Sequence, residues 1–153
     1  MQFWLMKSEP DEVSIDDLAA RPGQTIPWFG VRNYQARNFL RDAMQIGDQA
    51  FFYHSGCAMP GIAGICEVCS MPYPDETQFV TPQGDFLRGA VNPYFDPKSS
   101  LDKPRWWLRD VRLVRKTRFV SLAELRTRPE LANMRLLARG NRLSITPVSD
   151  AEW

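Results

Sequence analysis

The 153 residues, 44% of them hydrophobic and 24% charged, have the length and composition of one globular domain, which excludes a disordered chain. The apolar runs are much too short to span a bilayer, and Met1–Ser8 places its positive charge after its apolar stretch, the reverse of a secretory signal. We therefore expect one domain over residues 1–153, a cytoplasmic monomer without a membrane partner.

The net charge of +1 hides an uneven distribution, since residues 1–77 carry −5 and residues 78–153 carry +6. A nearly neutral protein attracts phosphates weakly, so a nucleic-acid site would need a local basic patch. The second half holds arginines for such a patch, although they equally fit an ordinary solvated surface. Arg109 is one of these arginines. The candidates for contact with a nucleic-acid backbone are Arg112, Arg115, Arg135, Arg139 and Arg142.

The sequence of the first half predicts three strands and two helices, with both helices between the first and the second strand. The elements are a strand at Phe3–Ser8, a short helix after Ser14, a loop at Ile26–Arg32, a helix at Asn33–Met44, and strands at Gln49–His54 and Ile62–Met71. Ser14-x-x-Asp17 has the spacing of a capping box. Asn33 stands where a helix N-cap belongs, and the apolar residues after it share one helical face.

The second half begins with an irregular stretch, residues 72–105, which is rich in proline and holds one short expected strand near Gln78–Val80. The further elements are a strand at Trp106–Arg115, a helix capped by Ser121, a helix at Glu130–Arg139 ending before Gly140, and a strand at Arg142–Val148. Short strands without regular helix–strand alternation predict an α+β domain, in which one curved sheet or small mixed barrel carries flanking short helices.

Cys66-x-x-Cys69 resembles half of a zinc site, but it lies within a predicted strand. Residues three apart on a strand point to opposite faces, and no second pair of cysteines or histidines completes four ligands. We therefore expect no metal and no cofactor.

Catalytic motifs are missing from this sequence. His54 is its one histidine, and the patterns typical of a nucleophile elbow, a phosphate loop, a dinucleotide fold or a zinc deaminase are absent. We therefore expect a binding module rather than an enzyme.

Several polar and aromatic residues stand where a ligand site would need them. Trp28 lies in a proline- and glycine-rich loop, where a flat indole could stack on a base or instead plug the core. Ser8 and Ser55 lie at the ends of two predicted strands, and Asn33 could join them in reading a base edge, or could serve only as a helix cap.

Six sequence blocks, in order along nearly the whole chain, closely resemble the EVE domain family. The blocks are Trp4-Leu5-Met6-Lys7-Ser8-Glu9-Pro10, Trp28-x-Gly30-Val31-Arg32-Asn33-Tyr34-Gln35-Ala36-Arg37-Asn38, Phe51-Phe52-Tyr53-His54-Ser55, Tyr73-Pro74-Asp75, Pro104-Arg105-Trp106 and Arg142-Leu143-Ser144. The resemblance implies a PUA-like fold, a relationship to the YTH readers of methylated adenine in RNA, and a pocket for a modified base. Modified cytosine in DNA is the favoured base, and a modified RNA base is the alternative.

By matching position, the resemblance implies that nine residues line or support the pocket: Ser8, Trp28, Val31, Arg32, Asn33, His54, Ser55, Trp106 and Ser144. Phe29 departs from the family pattern, which favours an acidic residue there, and Thr81–Asn92 resembles an insertion. Two other functions remain open. One is a hydrolase or transferase that acts on a modified nucleotide with His54 as general base, and the other is a protein-interaction module.

Overall fold

The computed structural model describes residues 1–80 and 92–153, which form an α+β unit around a six-stranded sheet. The strands are β1 (Phe3–Ser8), β2 (Thr25–Pro27), β3 (Gln49–His54), β4 (Gly61–Val68), β5 (Tyr73–Pro74), β6 (Trp107–Leu108), β7 (Asp110–Ser121) and β8 (Ile145–Val148). The helices are α1 (Ile15–Ala20), α2 (Tyr34–Asn38) and α3 (Leu122–Arg126). No helix in these residues is long and apolar enough to cross a membrane.

The large sheet has the strand order β2-β7-β4-β3-β1-β8, and β5 pairs separately with β6. Strands β1 and β3 are parallel, and every other pairing is antiparallel. Within the described residues β2 and β8 are edge strands that do not pair with each other. The expected mixed sheet is therefore present, and in the described residues it is open rather than closed into a barrel.

The predicted helices near the N-terminus form with their expected caps. The Ser14 hydroxyl accepts from Asp17 N, and the Asp17 carboxylate accepts from Ser14 N, which completes the capping box. The Asn33 side chain accepts from Gln35 N and Ala36 N at the start of α2. The second half of this helix widens into a π-helical turn at Phe39–Ala43, so the regular helix ends earlier than the apolar pattern indicates.

Several strand boundaries differ from prediction, and the strand expected at Trp106–Arg115 is divided into β6 and β7, which lie in different sheets. Strand β4 ends at Val68 rather than Met71, so Cys69 lies beyond the strand and the argument that it faces away from Cys66 on one strand fails. Strand β7 continues to Ser121 because its exposed charged residues still pair with β4, and β8 begins only at Ile145. Part of the predicted loop at Ile26 forms β2, paired with β7.

Two predicted elements are wrong. Residues 78–80 do not form a strand, because Glu76–Gln78 is a 3₁₀ turn capped by Asp75. The helix expected at 130–139 is replaced by 3₁₀ turns at Pro129–Leu131 and Arg135–Leu137. Burial of residues 131, 134 and 136 does not follow a helical period, and Met134 is extended. The insertion-like segment lies outside the described residues except for Asn92.

Alternation along the strands divides the core into two layers, one on each side of the sheet. On β1, Trp4 and Met6 pack with the α1 and α2 side, while Leu5 packs with Leu125 and Leu136 on the other side. Because β1 and β3 are parallel, their carboxyl ends lie side by side, with Ser8 in register with His54. This edge of the sheet carries the candidate site.

Candidate functional site

A cavity of about 600 Å³ opens where the chain leaves β1 and β3. The backbone holds the two strand ends together, since Ser55 N donates to Ser8 O over 2.9 Å and Lys7 N donates to Ser144 O over 2.8 Å. The opposite wall is the loop after β2, which Trp28 N anchors to Arg109 O at 2.9 Å. The cavity therefore lies between the sheet edge and a loop fixed to Arg109, the residue before β7.

Six predicted residues lie on the cavity wall, five of them predicted for the pocket and one for the nucleic-acid backbone. They are Ser8, Trp28, Val31, Ser55 and Ser144, together with Arg142. The Ser8 hydroxyl donates to Val13 O over 2.6 Å, so its oxygen is left to accept from a ligand.

Trp28 both belongs to the core and lines the cavity. Its side chain is only 6% exposed and meets Phe52 edge to face, with ring centroids 5.4 Å apart. Because the ring is nearly enclosed, its loss would open a large void. The two predicted interpretations of Trp28, core plug and pocket wall, therefore describe the same side chain.

Four predicted residues do not line the cavity but hold its surroundings in place. Asn33 caps α2. His54 Nε2 accepts from Ile15 N at 3.1 Å, and this bond fixes the start of α1. Trp106 is buried, donates through Nε1 to Asp96 Oδ2 over 2.7 Å and stacks on Tyr34. Arg32 is the fourth.

Arg32 connects the loop after β2, which forms one wall of the cavity, to the segment around residue 75. Its guanidinium contacts Asp75 Oδ2 at 3.2 Å and donates to Thr77 Oγ1 and to Tyr94 O. Asp75 is fully buried and also accepts from Gly30 N over 2.8 Å. One carboxylate thus holds both the backbone and the arginine of the same loop, so Arg32 is a supporting residue.

The cavity wall also contains residues that the sequence analysis missed. They are Lys7, Glu9, Glu12, Val13, Ile26, Pro27, Phe29, Gly30, Gly56 and Tyr94. Burial lowers the pKa of the Lys7 ammonium. The Tyr94 hydroxyl donates to the Glu12 carboxylate, 82 residues away in the chain. The acidic residues after β1 were the available signal, whereas nothing in the sequence indicated that Tyr94 would reach them.

A family model described as EVE domain matches residues 2–153 of this chain. The chain belongs to the EVE domain family. Human thymocyte nuclear protein 1 is 47% identical over 98% of this chain and 70% of its own length, and the zebrafish (Danio rerio) protein of the same name is 42% identical over 98% and 68%.

Solved structures agree with this assignment. A crystal structure of human THYN1 protein in complex with 5-methylcytosine containing DNA superposes with a TM-score of 0.87 at 46% identity, covering 99% of this chain and 93% of that one. A crystal structure of a Pseudomonas putida protein superposes with a TM-score of 0.86 at 45% identity, covering 99% and 94%. Similar proteins thus occur in bacteria and in animals.

The predicted backbone-binding arginines of this EVE domain fall into two groups. Arg112 and Arg115 lie on β7, away from the cavity wall, and Arg112 pairs with Glu67. Arg135 and Arg139 line a shallow groove with Asn141 and Leu143. Arg142 on the cavity wall is the chain neighbour of both Asn141 and Leu143 in this groove. Arg109 is buried and contributes nothing to a surface patch.

The buried environment of His54 predicts a pH-dependent stability of this EVE domain. Burial lowers the pKa of His54 below its ordinary 6.5, with Asp16 opposing this effect. The unfolded chain therefore takes up the proton first, and the stabilisation present above pH 6.5 is lost as the pH falls toward the folded-state pKa. Protonation also removes the acceptor for Ile15 N.

We expect the midpoint of thermal unfolding to fall as the pH is lowered from 7.5 to about 5, beyond the fall caused by the carboxylates. His54→Gln keeps an oxygen acceptor but does not titrate, so its unfolding midpoint should depend less on pH over this range. Parallel pH profiles of the two proteins would contradict this account of His54.

Metal and cofactor binding were not expected, and that expectation stays a prediction. Across the described ranges, no group of three or more His, Cys, Asp or Glu side chains could hold a metal ion. Cys66 is buried in the core, where burial raises the pKa of its thiol to about 12. This thiol therefore stays protonated and is a poor metal ligand.

Proposed function

We propose that this EVE domain binds nucleic acid and takes one modified base, modified cytosine in DNA being the first candidate, into the cavity beside Trp28. The supporting observation is a cavity of about 600 Å³ with an aromatic wall and several polar groups at the end of the sheet. This size is within the range of small-ligand sites. A structural relative at 46% identity was crystallised with 5-methylcytosine containing DNA.

In this proposal the base leaves its stack before it enters the cavity. Unstacking and unpairing a nucleotide costs a few kcal/mol, which contacts with the base must repay. Trp28 packs on the base plane, and stacking on an aromatic side chain contributes about 1–3 kcal/mol. Ser8, Ser55 and Ser144 provide hydroxyl groups for the polar edge of the base, while Val31 adds an apolar surface for a methyl group.

The supporting residues set the shape of the cavity rather than contacting the base. Asn33 and His54 use their polar atoms to begin α2 and α1. Arg32 joins the loop after β2 to Asp75, and Trp106 bonds to Asp96 and stacks on Tyr34. His54 Nε2 thus already has a partner and His54 does not line the cavity, so the geometry gives no support to the alternative in which it acts as a general base.

The function is tested by measuring binding of the purified protein to oligonucleotides that differ at one base. The set carries cytosine, 5-methylcytosine, adenine or N6-methyladenine in DNA, with matching RNA. We expect one modified base to bind more tightly than its parent base, by about 5- to 100-fold if one methyl group is recognised. Equal affinity for every modified base and its parent would reject the proposal of a modified-base reader.

The phosphate backbone next to the flipped base is proposed to lie along the groove of Arg135 and Arg139, with Arg142 at the cavity mouth. Asn141 and Leu143 of this groove flank Arg142 of the cavity wall in the chain, whereas Arg112 is already paired with Glu67. Phosphate contacts position a protein on nucleic acid without reading its sequence.

Neutralising the groove should therefore weaken binding to all oligonucleotides alike. In the double variant Arg135→Gln/Arg139→Gln, the slope of log K against log salt should fall by about one unit per lost phosphate contact. Arg112→Gln/Arg115→Gln removes the same charge from β7 and serves as the matched control. A reduced salt slope in that control, with a normal slope in the groove variant, would mean that the phosphate backbone contacts β7 instead of the groove.

A further inference from the structure

A methyl group alone cannot identify 5-methylcytosine. Thymine carries the same methyl group at the same ring position and differs along its polar edge: at position 4 cytosine has an amino donor and thymine a carbonyl acceptor, and at N3 cytosine has an acceptor and thymine a donor. A cavity that only senses the methyl group would therefore accept both bases. A hydrogen-bond acceptor on the protein that faces position 4 would select cytosine, as would a donor that faces N3.

The cavity wall contains one half-buried carboxylate with a fixed position. Both oxygens of Glu12 lie within hydrogen-bond distance of the Tyr94 hydroxyl, which has one proton to donate. Tyr94 is itself held, since its N donates to Asn92 Oδ1 over 2.9 Å and its O accepts from Arg32 Nη2 over 2.8 Å. Its ring also lies close over Gly30, where a Cβ would come within 2.8 Å of it.

This pair presents acceptors to the cavity. The Tyr94 hydroxyl gives its single proton to Glu12, so its oxygen can only accept from a ligand, and the carboxylate can only accept as well. Burial and the neighbouring Glu12 raise the pKa of Tyr94, so the phenol keeps the proton that it donates. An amino group satisfies such acceptors, whereas a carbonyl oxygen in the same place meets other lone pairs.

We propose that Glu12, positioned by Tyr94, is the specificity-determining acceptor that selects pyrimidines with a 4-amino group and rejects thymine and uracil. This inference rests on the proposed function, because it assigns the polar recognition of a base to the same cavity. Glu9 is the competing acceptor on the wall. It is exposed, however, and its carboxylate packs against Gly56 at the rim.

The test compares three single-stranded oligonucleotides that differ only in one central cytosine, 5-methylcytosine or thymine, so that no base pair has to be broken. We expect the unaltered protein to prefer 5-methylcytosine to thymine by about tenfold or more, the usual discrimination of a good base contact. Glu12→Gln should lower that ratio to within about threefold, because its amide can turn its NH₂ toward the thymine carbonyl. Glu130→Gln, an exposed acid outside the cavity, is the matched control and should keep the ratio.

Each outcome decides one question. If the unaltered protein prefers 5-methylcytosine to cytosine but binds thymine equally well, the inference fails and the proposed function stands. If the unaltered protein binds 5-methylcytosine and cytosine equally well, the proposed recognition of modified cytosine fails. If the preference for 5-methylcytosine over thymine disappears in Glu9→Gln but persists in Glu12→Gln, the assignment to Glu12 is overturned.

Thermal unfolding shows whether each variant is folded. Should Glu12→Gln not fold, Tyr94→Phe provides the second measurement, since it leaves the carboxylate in place without the hydroxyl that positions it. A reduced ratio of 5-methylcytosine to thymine binding in Tyr94→Phe supports the role of the pair. An unchanged ratio in that variant contradicts it.

Discussion

Replacing Trp28 with alanine should lower the free energy of unfolding by about 3–5 kcal/mol, the usual cost of truncating an enclosed aromatic ring. The ring is 6% exposed and packs on Phe52 within the core layer that also holds Ile26 and Val31. The same change should weaken oligonucleotide binding by about 1–3 kcal/mol if the ring stacks on a base as proposed. Chemical denaturation and binding measured on one protein sample give both quantities.

Two further variants make the result interpretable. Leu101→Ala removes an exposed apolar side chain and should change the free energy of unfolding by no more than about 0.5 kcal/mol. Trp28→Phe keeps an aromatic ring and should lose less stability and less oligonucleotide affinity than Trp28→Ala does. A stable Trp28→Ala variant would mean that the loop closes over the void, and stable folding with unchanged binding would remove Trp28 from the proposed site.

The second large effect is expected at Arg109, whose buried guanidinium binds three backbone carbonyls. Nε donates to Leu40 O and Nη2 to Met44 O, each over 2.5 Å, and Nη1 donates to Ser70 O over 3.1 Å. These bonds close the π-helical turn after α2 against the chain that follows β4. Arg109→Met fills similar volume but leaves the carbonyls without this donor, at about 1–3 kcal/mol for each group that stays unsatisfied.

We expect Arg109→Met to lose about 3–5 kcal/mol of stability, measured by denaturant unfolding, because losing a buried charge offsets part of the penalty. Arg115→Met makes the same change on the exposed face of β7 and should fall within about 0.5 kcal/mol of the unaltered protein. Arg109→Lys keeps the charge without the planar fork and should lie between the two. Equal stability of the methionine variants would show that the three carbonyls find other donors.

Most elements followed from local patterns in the sequence. The strands β1 and β3 and the caps at Ser14, Asn33 and Ser121 depend on neighbouring residues, and all of them form as predicted. The failures have tertiary causes. Strand β7 extends to Ser121 because β4 provides a partner, and residues 129–137 bury their apolar side chains without a helical period.

The residues of the site also fall into those that local sequence could place and those that depend on a partner distant in the chain. Ser8 and Ser55 could be predicted at strand ends, and the structure brings them together because β1 and β3 lie side by side. The roles of Arg32 and His54 could not be derived, because each depends on a partner at least 39 residues away, Asp75 for Arg32 and Ile15 N for His54. Tyr94 was missed for the same reason, since its contact with Glu12 spans 82 residues.

The buried Asp75 has a consequence for how a ligand binds. It holds Gly30 N and the Arg32 guanidinium at once, so the loop that carries Trp28 is already ordered in the free protein. If a base enters the cavity as proposed, binding loses little conformational entropy on the protein side, and the main barrier is the extrusion of the nucleotide from its stack. Association should therefore be fastest where the nucleic acid is already open, at mismatches, strand ends and unpaired loops, even for the same modified base.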